Sequence, residues 1–195
     1  MRLELLKGSA IGPHVADLAR LRTTVFRAFP YLYEGSDAYE ERYLATYARS
    51  ADSVFVLAFD GERVVGAATG MPMADETDEV RAPFLDAGWD VDRIFYFGES
   101  VLLPDYRGQG IGVRFFEERE AYATSLNRFD WTVFCGVIRP DDHPARPADY
   151  VPLDDFWRRR GYAPLTALET AFSWRDIGDD VETAKPMRLW GKRIG

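Results

Sequence analysis

The sequence has little of what metal centres and disulfide scaffolds require. It contains one cysteine, Cys135, and two histidines far apart in the chain, His14 and His143. A single thiol excludes an internal disulfide framework, and so few soft ligands argue against a multi-cysteine or histidine-rich metal site. We therefore expect no bound metal.

Basic residues and long apolar runs are also scarce. Lys and Arg number 24 against 32 Asp and Glu, a net charge of −8, which argues against a nucleic-acid binder or a basic membrane-surface protein. No stretch approaches the roughly 20 apolar residues of a membrane span, and the N-terminal segment lacks the core of a signal peptide. We expect one cytoplasmic domain over residues 1–195. The sequence does not decide between a monomer and a homodimer.

Hydrophobic periodicity predicts a mixed α/β architecture. An Asp-Gly hairpin turn predicts antiparallel strands, and a strand–helix–strand crossover predicts a parallel pair. Together they indicate a mixed, mostly antiparallel sheet flanked by helices. The predicted elements, in order, are a short first strand, helices over 13–29 and around 39–47, strands over 53–59, 63–70 and 94–103, a helix over 113–126, a strand over 131–138, a short helix over 153–160 and strands over 167–174 and 187–194. The acidic segments 73–92 and 177–185 are predicted loops.

The segment from Arg107 to Gly112, RGQGIG, is the most informative part of the chain. Its three glycines let the backbone approach a ligand closely, and the free N–H groups at the start of the next helix favour an anion. Arg107 adds a positive charge, so the segment predicts a phosphate or pyrophosphate site. The spacing fits neither a P-loop nor a dinucleotide fingerprint, since Val113 stands where the latter needs glycine.

This segment resembles the Arg/Gln-x-x-Gly-x-Gly/Ala signature of the GCN5-related N-acetyltransferase (GNAT) superfamily. The element order along nearly the whole chain is similar, and the segment 156–162, FWRRRGY, resembles that family's aromatic run near the C-terminus. The resemblance implies the GNAT fold, with acetyl-CoA or another acyl-CoA as cosubstrate and direct transfer to an amine. The implied cosubstrate contacts are Ser100, Val101 and Leu102 for the thioester arm, and Arg107, Gly108, Gln109, Gly110, Ile111, Gly112 and Val113 for the pyrophosphate.

Acyl transfer to an amine needs a general base and a proton for the leaving thiolate. Glu99 is the predicted base because it lies in an otherwise apolar strand; the alternative is that it pairs with an arginine or caps a loop. Many family members use a tyrosine as the acid, at a position that here is Trp157. Tyr150 and Tyr162 are the nearest substitutes, and Tyr150 lies in the loop that would border the thioester. The alternatives are that Tyr150 is a surface or packing tyrosine and that water is the acid.

The acceptor site is expected between the first two helices. Tyr31, Tyr33 and Glu34 lie there, and aromatic walls with a carboxylate suit an amine, although the tyrosines could equally pack the helices. The predicted function is N-acylation of a small-molecule amine, with no nucleic-acid or membrane partner. The alternatives are a catalytically idle CoA-binding or sensor module, which the tryptophan at the acid position favours, and a protein or peptide N-acetyltransferase.

Overall fold

The computed structural model describes the backbone of residues 1–195 and all side chains except those of Asp37, Ala38 and Glu41. The strands are β1 (Arg2–Lys7), β2 (Val54–Asp60), β3 (Arg63–Pro72), β4 (Ile94–Tyr96), β5 (Ser100–Leu102), β6 (Trp131–Val137), β7 (Ala163–Pro164), β8 (Thr170–Trp174) and β9 (Thr183–Arg193). The α-helices are α1 (Val15–Phe26), α2 (Asp37–Arg49), α3 (Asp78–Asp86), α4 (Ile111–Ser125) and α5 (Asp154–Arg158).

The strands of the described chain form one open mixed sheet. Its order is β1-β2-β3-β4-β6-β9-β7, with β5 also beside β3 and β8 beside β9. The pair β4–β6 is parallel and the other pairs are antiparallel. The parallel pair arises because the chain crosses from β5 through α4 to β6. The expected mixed, mostly antiparallel sheet with flanking helices is confirmed.

The sheet opens at its centre, where the predicted strand over 94–103 is interrupted. The N–H of Phe97 still bonds to β6, but the N–H of Gly98 turns to β3. β5 then pairs with β3 alone, so β5 and β6 diverge. We call the interruption at residues 97–99 the break. Gly98 is required there, since a Cβ at this position would lie 1.8 Å from the Tyr47 hydroxyl. The prediction of one continuous strand is therefore wrong at residues 97–99.

Both faces of the sheet are covered. Helices α1 and α2 pack on β2 and β3, while an aromatic cluster that includes Phe95, Phe116 and Phe134 joins α4 and α5 to the other face of the central strands. Rings in this cluster meet edge to face, as Phe116 and Phe134 do at 5.6 Å, the favoured geometry of aromatic pairs. This packing fixes α4 and β6 on the two sides of the opening.

Two of the predicted loops are partly regular. The acidic segment 73–92 contains α3. Phe84 of this helix is completely buried in a cluster with side chains of β4, β6 and β9. β9 begins at Thr183, inside the predicted loop over 177–185, because it pairs with β8 from that residue onward. The first helix is shorter than predicted, since residues 8–14 form a 3-10 segment. Within the described residues, no helix combines the length and apolarity that a bilayer crossing needs.

Candidate functional site

A cavity of about 1290 Å³ occupies the opening between β5 and β6. This volume exceeds the usual range of pockets for one small-molecule ligand, so the cavity has room for two reactants. One side is formed by the break, β5 and the segment over residues 107–112, which we call the glycine turn. The other walls are β6, the loop after β6 and the segment after α1. Among the described side chains, no cluster of His, Cys, Asp or Glu has the arrangement of a metal site.

The glycine turn presents a row of unpaired backbone donors. The five consecutive N–H groups from Gly108 to Gly112 donate no hydrogen bond to any residue that the structure describes. Gly108 and Gly110 have φ of +74° and +82°, and a Cβ at either position would meet open space. Backbone conformation therefore requires glycine at these two positions. Unpaired donors at the positive end of a helix form an anion site.

β5 offers the cavity alternate backbone groups. The carbonyl of Glu99 and the N–H of Leu103 bond to β3, and by the alternation of an extended strand the groups of Val101 face β3 as well. Ser100 and Leu102 therefore turn their backbone groups towards the cavity. Val101 differs from the expectation, because its backbone groups lie on the β3 side and its side chain is in the core.

The remaining residues of the predicted pyrophosphate site support the turn. Arg107 donates from Nε to the Leu102 carbonyl at 3.2 Å, and Gln109 donates from its amide to the Asp105 carbonyl at 3.2 Å. Ile111 is buried in the core beneath the turn, and Val113 lines the cavity. These contacts hold the row of N–H groups in place, and the cavity lining includes Arg107.

Glu99 is buried at the break, with its side chain 2% exposed, and it lines the cavity. Its Oε2 accepts hydrogen bonds from Arg22 Nη1 at 2.7 Å and from the Tyr43 hydroxyl at 3.0 Å. Its Oε1 has no partner among the described residues. The two interpretations of Glu99 are therefore compatible, because one oxygen pairs with an arginine while the other is free to accept a proton.

Arg22 is the buried cation that holds Glu99. It also donates to Glu40, whose second oxygen accepts from the Tyr33 hydroxyl at 2.9 Å. Burial by itself would lower the pKa of Arg22, but the attraction of Glu99 and Glu40 outweighs burial and raises that pKa. Arg22 is thus a permanent positive charge behind the cavity wall.

Arg119 fixes the backbone of the break. It is buried, and it donates to the carbonyls of Thr69 at 3.0 Å and Glu99 at 3.1 Å and to the Ser100 hydroxyl at 2.8 Å. Its guanidinium also lies 4.2 Å from the centre of the Phe97 ring. Burial without a carboxylate partner in the described residues lowers the pKa of Arg119 to about 10. Both carbonyls also accept a backbone N–H where the break pairs with β3, so Arg119 is a second donor to each and ties α4 to the break and to β3.

Tyr150 and Trp157 lie on the side of the cavity opposite β5. The Tyr150 ring meets Phe29 edge to face at 4.7 Å, and partial burial raises the pKa of its phenol. Trp157 packs against β6, where a Cβ at Gly136 would lie 2.8 Å from the indole ring. The indole thus fills the space beside β6, while Tyr150 reaches the cavity lining from the loop. A role for Tyr150 in proton transfer stays a prediction.

The structure separates the three predicted acceptor residues. Tyr31 lines the cavity, whereas Tyr33 and Glu34 are absent from its described lining. The Tyr33 hydroxyl is directed to Glu40, and Glu34 pairs with Arg27 at 3.0 Å on the surface. Of the three, only Tyr31 lies in the described cavity lining, and an acceptor role for these residues stays a prediction.

Arg139 holds the Tyr31 side of the cavity and was not identified in the sequence. It donates to the carbonyls of Pro30 and Tyr31, each at 2.8 Å, and pairs with both oxygens of Asp176 at 2.7 and 2.8 Å. A bidentate pair of this kind is both strong and directional. Arg139 thus fastens the segment after α1, through Pro30 and Tyr31, and the loop between β8 and β9, through Asp176, to the loop that follows β6.

The comparisons with known proteins agree with this geometry. The model of the acetyltransferase (GNAT) family matches residues 18–148. No curated protein sequence matches the chain.

Solved structures share the fold at low sequence identity. They include NAA60 of Arabidopsis thaliana in complex with a bisubstrate analogue (TM-score 0.62, 11% identity) and ribosomal-protein-alanine N-acetyltransferase from Brucella melitensis (0.61, 12%). A third is a GNAT-family acetyltransferase from Streptococcus pneumoniae (0.58, 16%). Each match covers 100% of both chains.

Proposed function

The chain belongs to the acetyltransferase (GNAT) family, and from that premise we propose that it transfers an acetyl group from acetyl-CoA to the amine of a small molecule. The observation that carries the proposal is the pairing of two features across one cavity. Five consecutive N–H groups of the glycine turn, whose glycines line the cavity, lack partners among the described residues, and Glu99, which lines the cavity from the break, has one carboxylate oxygen without such a partner.

The residues present fit acetyl-CoA as cosubstrate. The N–H groups from Gly108 to Gly112 would hold the pyrophosphate, and the backbone groups of Ser100 and Leu102 would hold the pantetheine arm. When bound, acetyl-CoA supplies an activated acyl thioester. The opening between β5 and β6 is the only interruption of the central sheet that the described residues show, so it is the natural place for that arm.

Glu99 is the proposed general base. An ammonium acceptor must lose a proton before its nitrogen can attack, and Glu99 Oε1 is the carboxylate oxygen left free to take it. Arg22 and Tyr43 hold the other oxygen, so the carboxylate keeps one orientation. The leaving thiolate then needs a proton, which Tyr150 or water supplies.

A small acceptor is favoured by the walls at the Tyr31 end of the cavity. Phe29, Pro30 and Tyr31 form one wall, and Arg139 fastens this segment to Asp176. Aromatic rings close to a carboxylate suit an alkylamine. Two structural neighbours are a ribosomal-protein-alanine N-acetyltransferase and NAA60 in complex with a bisubstrate analogue, and a peptide acceptor is therefore the alternative outcome of the test.

Release of free CoA in the presence of a panel of amines tests the proposal. The panel contains polyamines, amino acids, aminoglycosides and short peptides. We expect release that depends on one class of small amine. Release of CoA with peptides alone would show that the acceptor is a peptide. Binding of acetyl-CoA without release of CoA for any amine would indicate an idle binding module.

A further inference from the structure

Four side chains form a row of hydrogen bonds behind the cavity wall. Glu99 Oε2 lies 3.0 Å from the Tyr43 hydroxyl, which lies 3.0 Å from the Tyr47 hydroxyl. The Tyr47 hydroxyl in turn lies 3.1 Å from Glu76 Oε1. Because Gly98 has no side chain, Tyr47 can reach this position directly beneath the break. The row therefore connects the proposed base to a second buried carboxyl group.

The number of hydrogens in this row decides how it is protonated. Three oxygen–oxygen contacts each need one hydrogen, but the two tyrosine hydroxyls supply only two. If both carboxyl groups were ionised, one contact would bring two lone pairs together without a hydrogen between them. One of the two carboxyl groups must therefore carry the third hydrogen.

The surroundings indicate which carboxyl group this is. Glu99 accepts from the guanidinium of Arg22 at 2.7 Å, so a cation already lies beside this carboxyl group. Glu76 is buried and has no cationic partner among the described residues. Its Oε2 accepts the N–H of Thr77 at 3.0 Å, and its Oε1 faces Tyr47. One accepting and one donating oxygen are what a carboxylic acid offers.

We propose that Glu76 is a protonated carboxylic acid at neutral pH and that it positions Glu99 through Tyr47 and Tyr43. Glu76 donates to Tyr47, Tyr47 to Tyr43, and Tyr43 to Glu99 Oε2, so every contact in the row contains one hydrogen. Tyr43 and Arg22 then occupy Oε2 together, and Oε1 remains for the acceptor's proton. The positioning role rests on the proposed function, whereas the protonation of Glu76 does not.

The charged and titratable groups around Glu76 set the sign of its pH dependence. Burial is the largest influence and raises the pKa of Glu76 above its usual 4.5; Glu99 also raises this pKa, whereas the hydrogen bonds with Thr77 and Tyr47 and the charge of Arg22 lower it. The other titratable groups that face it are Tyr43 and Tyr47 of α2, Tyr96 of β4 and Cys135 of β6. Above pH 4.5 the folded state holds a proton that the unfolded chain releases, so this contribution to stability falls as pH rises through the folded-state pKa.

Infrared spectroscopy of the purified protein tests the protonation of Glu76 directly. At pH 7 we expect the C=O band of a buried carboxylic acid in the wild type and in Glu40→Gln, and its loss in Glu76→Gln. The free energy of unfolding of Glu76→Gln should also rise relative to the wild type as pH increases above 4.5. A wild type without the band, or a band that persists in Glu76→Gln, would overturn the proposal.

Kinetics test the positioning role separately. Glutamine at position 76 can donate to Tyr47 and accept from Thr77, so Glu76→Gln should keep kcat within about twofold. Glu76→Ala and Tyr47→Phe break the row and should lower kcat roughly 10-fold or more, with little change in KM for acetyl-CoA. A loss in Glu76→Gln as large as in Glu76→Ala would overturn the role. If the wild type showed no turnover, the proposed function would be contradicted. The infrared result would still decide the protonation of Glu76.

Discussion

Glu99 meets two requirements that usually conflict in a buried carboxylate. A cation must compensate its charge, yet a general base must keep an oxygen free for the incoming proton. Here the two oxygens divide these tasks, since Oε2 is bound by Arg22 and Tyr43 while Oε1 has no partner in the described chain. The ion pair therefore orients the proposed base and leaves Oε1 without a partner.

Replacing Glu99 tests this division of tasks. Glu99→Gln keeps the shape of the side chain but removes the proton acceptor, so kcat should fall roughly 100-fold or more, with acetyl-CoA affinity little changed. Steady-state kinetics with the best acceptor amine, alongside acetyl-CoA binding, measure both effects. A rise in acceptor KM at constant kcat would instead show that Glu99 only binds the ammonium.

Glu40→Gln is the matched control for Glu99→Gln. Glu40 is the other buried carboxylate on Arg22, but it lies outside the described cavity lining. Both variants weaken the ion pair and should lower the free energy of unfolding by about 1–3 kcal/mol. Only Glu99→Gln should lose turnover; equal losses would assign the effect to the ion pair.

Two arginines mark the site in the sequence, although they were not selected from it. Arg22 and Arg119 each stand within the apolar stripe of a helix, next to Leu18 and Leu21 in α1 and to Phe115 and Phe116 in α4. A charge in such a stripe is buried on folding and needs partners. The pattern could have identified both residues, but their partners come from distant segments that one sequence does not connect.

At the scale of elements, the glycine turn was predictable because its chemistry is local. The segment from Arg107 to Gly112 carries its backbone geometry in its own glycines, and the start of α4 follows directly. The break at residues 97–99 was not predictable in this way. It depends on Tyr47 from α2 and Arg119 from α4, which meet the strand only in the folded protein.

Substituting Gly110 tests the turn. Gly110→Val strains a residue at φ +82° and places a branched side chain beside the N–H row, so acetyl-CoA affinity should fall by roughly 10-fold or more. Binding calorimetry measures the loss. Gly178→Val is the matched control, since Gly178 has φ +90°, open space at its Cβ and a place outside the cavity lining. Equal affinities in the two variants would exclude this turn as the phosphate site.

At the scale of the whole molecule, the site results from the divergence of two strands within an otherwise continuous sheet. Periodicity and the hairpin predicted the mixed sheet and its helices, because these depend on patterns a few residues long. The side of the cavity proposed for the acceptor was less predictable: Tyr31 lines the cavity, Tyr33 is absent from its described lining, and Arg139 joins two segments more than 100 residues apart. Such contacts follow from the packing of the whole chain.

Thermal unfolding with and without acetyl-CoA tests the central claim that this opening binds an acyl-CoA. A ligand that binds only the folded state at 100 times its Kd adds about 2.7 kcal/mol of stability, which for a chain of this size raises Tm by roughly 5–10 °C. We expect this rise with acetyl-CoA on the wild type, a much smaller one on Gly110→Val, and none with NADH. An unchanged Tm at saturating acetyl-CoA would contradict the claim.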